Sequence, residues 1–456
     1  MATIVAVRQY LRQICHRKGR AADVAGVVLN LLQTLSMTRF PLRLAAYAVI
    51  TVSALSAAGS LLYAQDVPPE RVFAAVPFDK WVKQGPQAPM PWKVTIHSYG
   101  LTLYQRLLAH VDVELSGKDL VTRSRGDRIV AFIQVSDAAG HQFRDYSFFQ
   151  VKEIPSKLKK FKADFPSDFF VLPGGYKLTV ALYDAQTGQH NLMESSLQIA
   201  PLKDDPLPDA WRGLPEVEFL GPPLESPDNL FRPDITSTLH LPLATKRPIH
   251  MELLADVTAS DLFRGSTLFY NRYLSVALPL LKSLDQIKLQ NGSLSVAMLD
   301  LRKRRVTFEQ DGGKALDWTR ARAVLAPENG PGAIDIKALE QRRESPAFLQ
   351  DELLRRLNAP ARSPQKEEEP FHVFVIIGSP MDFYSFRNLP HMPPGSEEKC
   401  VVYYLQFELL NTTYANGAVN NVRNMLKPLT VHVIKVRSAE SIRRALARIL
   451  DEVSQM

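Results

Sequence analysis

Three stretches of this chain are apolar almost without interruption: Ile249–Ala255 (IHMELLA), Phe371–Ile377 (FHVFVII) and Cys400–Phe407 (CVVYYLQF). A strand with one face in water alternates apolar and polar residues. A near-continuous apolar run belongs to a parallel strand covered on both faces. Helical patterns lie between these runs, over Leu262–Leu284 (disturbed at Pro279), Asp317–Leu325, Ile336–Leu357 (broken at Ser345-Pro346) and Ala418–Leu426. A closing amphipathic helix spans Ser438–Val453, with Ser438 as its cap. With the further strands SLSVAMLDL, RRVTFEQ and LTVHVIKV, residues 246–456 are predicted to form a doubly wound, Rossmann-like α/β sheet of about six strands.

The stretch before it has a different period. Residues 92–202 are short β-branched and aromatic runs separated by turn residues: Asp-Ala-Ala-Gly at 137–140, Pro-Gly-Gly at 173–175 and Thr-Gly at 187–188. No long helical pattern interrupts them, which predicts an all-β sandwich. The phrase LPGGYKLTVALYD resembles the late hairpin of immunoglobulin-like and fibronectin-like modules. Residues 203–245 form a connector, and the stretch 201–233 holds eight prolines. Proline fixes φ and lacks a donor, so this stretch is neither a central strand nor a helix interior. Trp211 and Phe219 are its candidate anchors. Residues 65–91, also proline-rich, are expected to be a linker or loose arm.

The formal charge of +8 is unevenly placed. Residues 1–43 carry seven basic residues against Asp23, so six of the eight positive charges belong to the leader. The basic balance therefore gives little support for a nucleic-acid partner. Residues 44–64 carry no charge and are long enough to span a bilayer, preceded by Arg39 and Arg43. The expectation is a signal peptide cleaved after Ala64, or an anchor of the same orientation. Residues 1–64 are then a leader, and the remainder is exported to a periplasmic or secreted location. Met37 opens a signal-like segment by itself, which suggests it as the true start. The only cysteines are Cys15 and Cys400, so removal of the leader leaves one thiol, without disulfide or cysteine-based zinc site.

In a doubly wound sheet, ligands sit at the carboxyl ends of the central strands. The first apolar strand ends in Asp256-Val257-Thr258-Ala259-Ser260, and the second in Gly378-Ser379-Pro380-Met381-Asp382. A strand ending in Asp-x-Thr-x-Ser, followed by a long helix, a strand pair, VFVIIGS and a last strand and helix, resembles a von Willebrand factor A domain. The resemblance implies a metal-ion-dependent adhesion site. In it Asp256, Thr258 and Ser260 would be oxygen ligands to magnesium, with manganese or calcium as substitutes. Two further ligands of that family do not match. Ala333 or Ile334 stands where a threonine belongs, and Gly378 or Ser379 where an aspartate belongs; Asp382 lies a few residues on. The bland reading gives the same side chains to the turn and to the N-cap of the following helix.

The loop 381–395 (MDFYSFRNLPHMPPG) follows a central strand and carries Phe383, Tyr384, Phe386 and Arg387, residue types that dominate protein contacts. Other signals are weaker. Arg125-Gly126-Asp127 reads as a turn, and Ser379 lacks the flanking glycines of a nucleophile elbow. His372, His391 and His432 show no ligand spacing. The sequence thus predicts an exported protein that binds other proteins or mediates adhesion, not an enzyme, with an incomplete metal site. An extracytoplasmic hydrolase using Ser379 or an Asp256-held metal, and a structural subunit of an envelope assembly, are the competing readings.

Overall fold

The computed structural model describes residues 67–121, 128–150, 162–221, 235–258, 267–311, 316–325, 345–359, 369–378, 392–407 and 421–456. The chain divides into two compact units, Met1–Val72 and Phe73–Met456, and the elements below belong to the second. It is a β-rich, multi-sheet fold with one α/β sheet.

Eight antiparallel strands make the first part: β1 (Lys93–Leu101), β2 (Leu107–Ser116), β3 (Arg128–Ser136), β4 (Gln142–Gln150), β5 (Lys162–Val171), β6 (Gly174–Asp184), β7 (His190–Ile199) and β8 (Val217–Leu220). They form two four-stranded sheets, ordered β1-β2-β5-β8 and β4-β3-β6-β7. Alternate residues of β2 (Ala109, Val111, Val113), β3 (Ala131, Ile133, Val135) and β6 (Leu178, Val180, Leu182) meet in one buried core between the sheets. Turn chemistry closes the β3–β4 hairpin. Gly140 has φ +88°, and the Asp137 carboxylate accepts from the His141 amide at 2.8 Å. Strand β3 is buried on both faces. Within the stretch expected to be a linker, Phe78–Gln84 is a helix. Its Phe78 and Trp81, with Phe73, pack on the outer side of β3 against Phe132.

The connector contributes structure to both parts. Its β8 pairs with β5, and Phe219 packs on Phe169. Its β9 (Leu241–Leu243) pairs with β11 (Ile287–Leu289).

The second part is a six-stranded sheet. Its strands are β10 (Ile249–Asp256), β12 (Gly292–Asp300), β13 (Arg305–Gln310), β14 (Phe371–Gly378), β15 (Cys400–Phe407) and β16 (Thr430–Val436). The order is β13-β12-β10-β14-β15-β16. Every pair is parallel except β12–β13. Met251, Leu253 and Ala255 face the helix Thr267–Leu284 and the closing helix Ala439–Ser454. Leu254, Phe374, Ile376 and Val402 face the helix Ser345–Leu357. Both faces of the central strands are therefore covered, which explains their continuous apolar sequence. At the start of β12, a Cβ on Gly292 would lie 1.9 Å from the Ile249 carbonyl oxygen, so only glycine fits. The closing helix starts with a capping box between Ser438 and Ser441.

A polar seam joins the two parts. Arg443, on the closing helix, is 1% exposed. It donates to both oxygens of Asp205 at 2.5 and 2.8 Å and to the Leu207 carbonyl at 2.7 Å, and it stacks over Trp211 at 4.5 Å. Trp211 Nε1 in turn donates to the Gln105 carbonyl at 2.7 Å, and Gln105 Nε2 to the Ala439 carbonyl at 3.1 Å. Burial raises the Asp205 carboxyl, but hydrogen bonds from Arg443 and the Leu207 amide outweigh it and hold the group below its ordinary range.

Replacing Asp205 by alanine leaves a buried guanidinium without its counter-ion. The expected loss is about 3–5 kcal/mol, read by urea unfolding. The depressed carboxyl also sets a pH dependence. Its stabilisation is complete above the unfolded value of about 3.9 and is lost as pH falls through the lower folded value. Between about pH 5 and pH 2 the wild type should lose more stability than Asp205→Asn, which has no proton to take up there.

Candidate functional site

Strand β10 ends at Asp256, between the carboxyl ends of β12 and β14. The chain then turns at once, and the Asp256 carboxylate closes that turn. Its Oδ1 accepts from the Thr258 amide at 3.0 Å and from the Thr258 hydroxyl at 2.5 Å. The same hydroxyl accepts from the Leu301 amide, at the end of β12, at 2.8 Å. The Val257 amide extends the ladder to the Leu299 carbonyl at 2.8 Å. Asp256 and Thr258 are 2% and 4% exposed. Together they latch the end of the central strand to its neighbour.

Two residues that the sequence reading did not single out belong to this place. Tyr404 and Gln406 of β15 are fully buried, and Gln406 stands opposite Gly378 in the parallel ladder. A Cβ on Gly378 would lie 3.2 Å from the Tyr404 ring and 3.8 Å from Asp256 Cβ. The Tyr404 ring therefore fills the space that a side chain at 378 would need. The one available sequence signal was the polar Gln406 at the end of an otherwise apolar strand, CVVYYLQF.

Of the predicted ligands, the structure brings Asp256 and Thr258 together. Ser260, Asp382 and Ser379 lie outside the described residues, as do Ala333 and Ile334 and the contact candidates Phe383, Tyr384, Phe386 and Arg387. A magnesium ion requires near-octahedral oxygen coordination. Of the predicted ligands, the described ones are one carboxylate and one hydroxyl, with Asp256 Oδ1 already bonded to the Thr258 hydroxyl. The hydroxyl has spent its proton on Asp256 and one lone pair on Leu301, which leaves a single lone pair for an ion. These residues alone do not fit the metal. Among the described residues, no group of three or more His, Cys, Asp or Glu side chains could hold one.

A second polar cluster lies toward the amino ends of the same strands. Glu252 is 2% exposed and accepts from Arg356 Nη1 at 2.7 Å. Arg356 also donates to Glu352 at 2.8 Å and pairs with Glu309 at 3.0 Å. His250 and His372 approach Glu252 at 3.5 and 3.6 Å. Burial raises the Glu252 carboxyl, yet the nearby His372 ring and the hydrogen-bonded Arg356 guanidinium prevail and hold it below its usual range. The cluster ties the helix Ser345–Leu357 to the sheet, and its carboxylates are committed to guanidinium partners.

No family model and no curated protein matches the chain. Among solved structures, it is similar to the ArnB paralog VWA2 from Sulfolobus acidocaldarius, at 9% identity and a TM-score of 0.24. That match covers 60% of this chain and 49% of the other, so the chain spans about half the length of that neighbour. It is similar to the PilB minor pilin from Streptococcus sanguinis (10% identity, 72% and 87% coverage, TM-score 0.24). It is also similar to the pilus adhesin SpaC from Lactobacillus rhamnosus GG (9% identity, 62% and 34% coverage, TM-score 0.24). Values this low place the chain in no family. Among the described residues no helix is long and apolar enough to cross a membrane, and the apolar stretch 44–64 lies outside them.

Thr258→Val keeps the shape of the latch and removes its hydroxyl. The Leu301 amide then loses its acceptor and Asp256 one of its donors, with an expected loss of about 1–3 kcal/mol. Thr258→Ser should retain most of that stability. Equal unfolding midpoints for the wild type and the valine variant would show that the latch carries no weight.

Proposed function

We propose that this chain is an exported protein-binding module of the von Willebrand factor A kind, with an incomplete metal site at its recognition edge. The observation that carries the reading is the place of Asp256 and Thr258. They end the central strand of a parallel sheet whose one antiparallel partner is β13. The carboxyl edge of such a sheet is where α/β folds bind ligands. At that edge Asp256 Oδ1 and the Thr258 hydroxyl are bonded to each other, and Tyr404 occupies the room beside Gly378. Recognition then rests on side chains of the loops at this edge, for which Phe383, Tyr384, Phe386 and Arg387 are the candidates. The leader supplies export, and the sandwich supplies a rigid base for the binding domain. The hydrolase alternative rests on Ser379, which lies outside the described residues, and binding is the activity proposed.

The test is capture of a partner from an envelope extract by the full chain, with and without EDTA, beside Phe383→Ala/Tyr384→Ala. Capture that survives EDTA and is lost in the double variant, with its melting temperature unchanged, is the expected result. Capture abolished by EDTA and restored by magnesium would show a working metal site and overturn the incomplete-site reading. A double variant that captures normally would remove the aromatic loop from the interface.

A further inference from the structure

The seam between the sandwich and the α/β sheet holds a cavity of about 280 Å³. It lies where the outer face of the sheet β1-β2-β5-β8 meets the helix Thr267–Leu284. Its walls are mostly apolar, with Tyr104, Phe170, Leu220, Ile235 and Pro279 among them. The volume is at the small end of ordinary ligand sites, which run from about 300 to 1,000 Å³ and favour domain interfaces.

We propose that this cavity is a binding site for a small organic ammonium ion. Two features of the walls support that chemistry. The Tyr104 and Phe170 rings stand at 58° to each other with centroids 6.3 Å apart, an aromatic corner whose faces attract cations. The cavity also contains one carboxylate among its described lining residues, Asp168. Asp168 sits on β5 between His110 of β2 and Leu220 of β8 in the ladder. The His110 Nδ1 lies 2.7 Å from Asp168 Oδ1, which fixes the carboxylate on the wall. The nearby guanidinium of Arg106 stacks on Phe170 at 4.9 Å, but it is paired with Glu218 at 2.8 Å and with Ser237. Its Nη1 is thus engaged, the Lys282 ammonium donates to the Ile235 carbonyl at 3.1 Å, and Asp168 is left as the carboxylate of the described lining. An apolar body with one positive end satisfies both the aromatic corner and the carboxylate. A carboxylic acid of the same size would meet like charge. The inference does not depend on the recognition edge at Asp256, which is a separate site.

The experiment uses the full chain, with phenethylammonium and its neutral analogue 2-phenylethanol as probes. It is run at pH 8, above the ordinary imidazole range. Melting temperature is followed against concentration for the wild type, Asp168→Asn and Ser275→Phe. Ser275 lies on the helix wall of the cavity, so the larger ring fills it. The expected result is a concentration-dependent rise for the wild type with phenethylammonium and a clearly weaker one with 2-phenylethanol. Asp168→Asn should lower the apparent affinity for the cation about tenfold or more, and Ser275→Phe should abolish the response while melting cooperatively. Equal responses to the two probes would overturn the assignment of a cation. So would an unchanged affinity in Asp168→Asn, and no response to either probe would overturn the site itself.

Discussion

The buried guanidinium of Arg443 holds the architecture together. A charge 1% exposed needs a counter-ion and hydrogen bonds, and here the connector supplies them to Nε and Nη2: both oxygens of Asp205 and the Leu207 carbonyl. The stacked Trp211 extends the contact into the sandwich through the Gln105 carbonyl. Gln105 returns to the closing helix through the Ala439 carbonyl. The proline-rich connector is thereby fixed against both neighbours. The cavity beside Asp168 lies at the junction of the same two parts.

The carboxyl edge of the sheet shows how the same residue types can serve an ion or the backbone. Asp256 and Thr258 have the identities of metal ligands, yet their geometry is that of a turn closed by a side chain. The Leu301 amide completes that turn. Gly378 and Tyr404 complement each other, since a ring fills the room that a side chain at 378 would take. On the proposed reading, recognition without an ion would fall to shape and to aromatic contacts, a mode common at protein interfaces.

Much of this was legible in the sequence, for identifiable reasons. The runs at 249–255, 371–377 and 400–407 marked strands covered on both faces, and these are β10, β14 and β15. Asp137 and Gly140 marked the β3–β4 turn, and Ser438 the start of the closing helix. What escaped were features created by tertiary contact. Nothing local says that Val217–Leu220, set among prolines, pairs with β5, or that Phe78 and Trp81 seek Phe132. Arg443 reads as an ordinary helix charge until Asp205, far away in sequence, is brought to it. Tyr404 and Gln406 were hidden for the same reason, because their partners at the sheet edge come from other strands.

The most direct measurement is a calorimetric titration of the full chain with magnesium, beside Asp256→Ala. The expected result is no saturable binding up to roughly millimolar magnesium. The substitution should instead cost about 1–3 kcal/mol of stability through the lost latch. Saturable binding by the wild type, abolished by Asp256→Ala, would contradict this picture and show that Asp-x-Thr-x-Ser holds an ion.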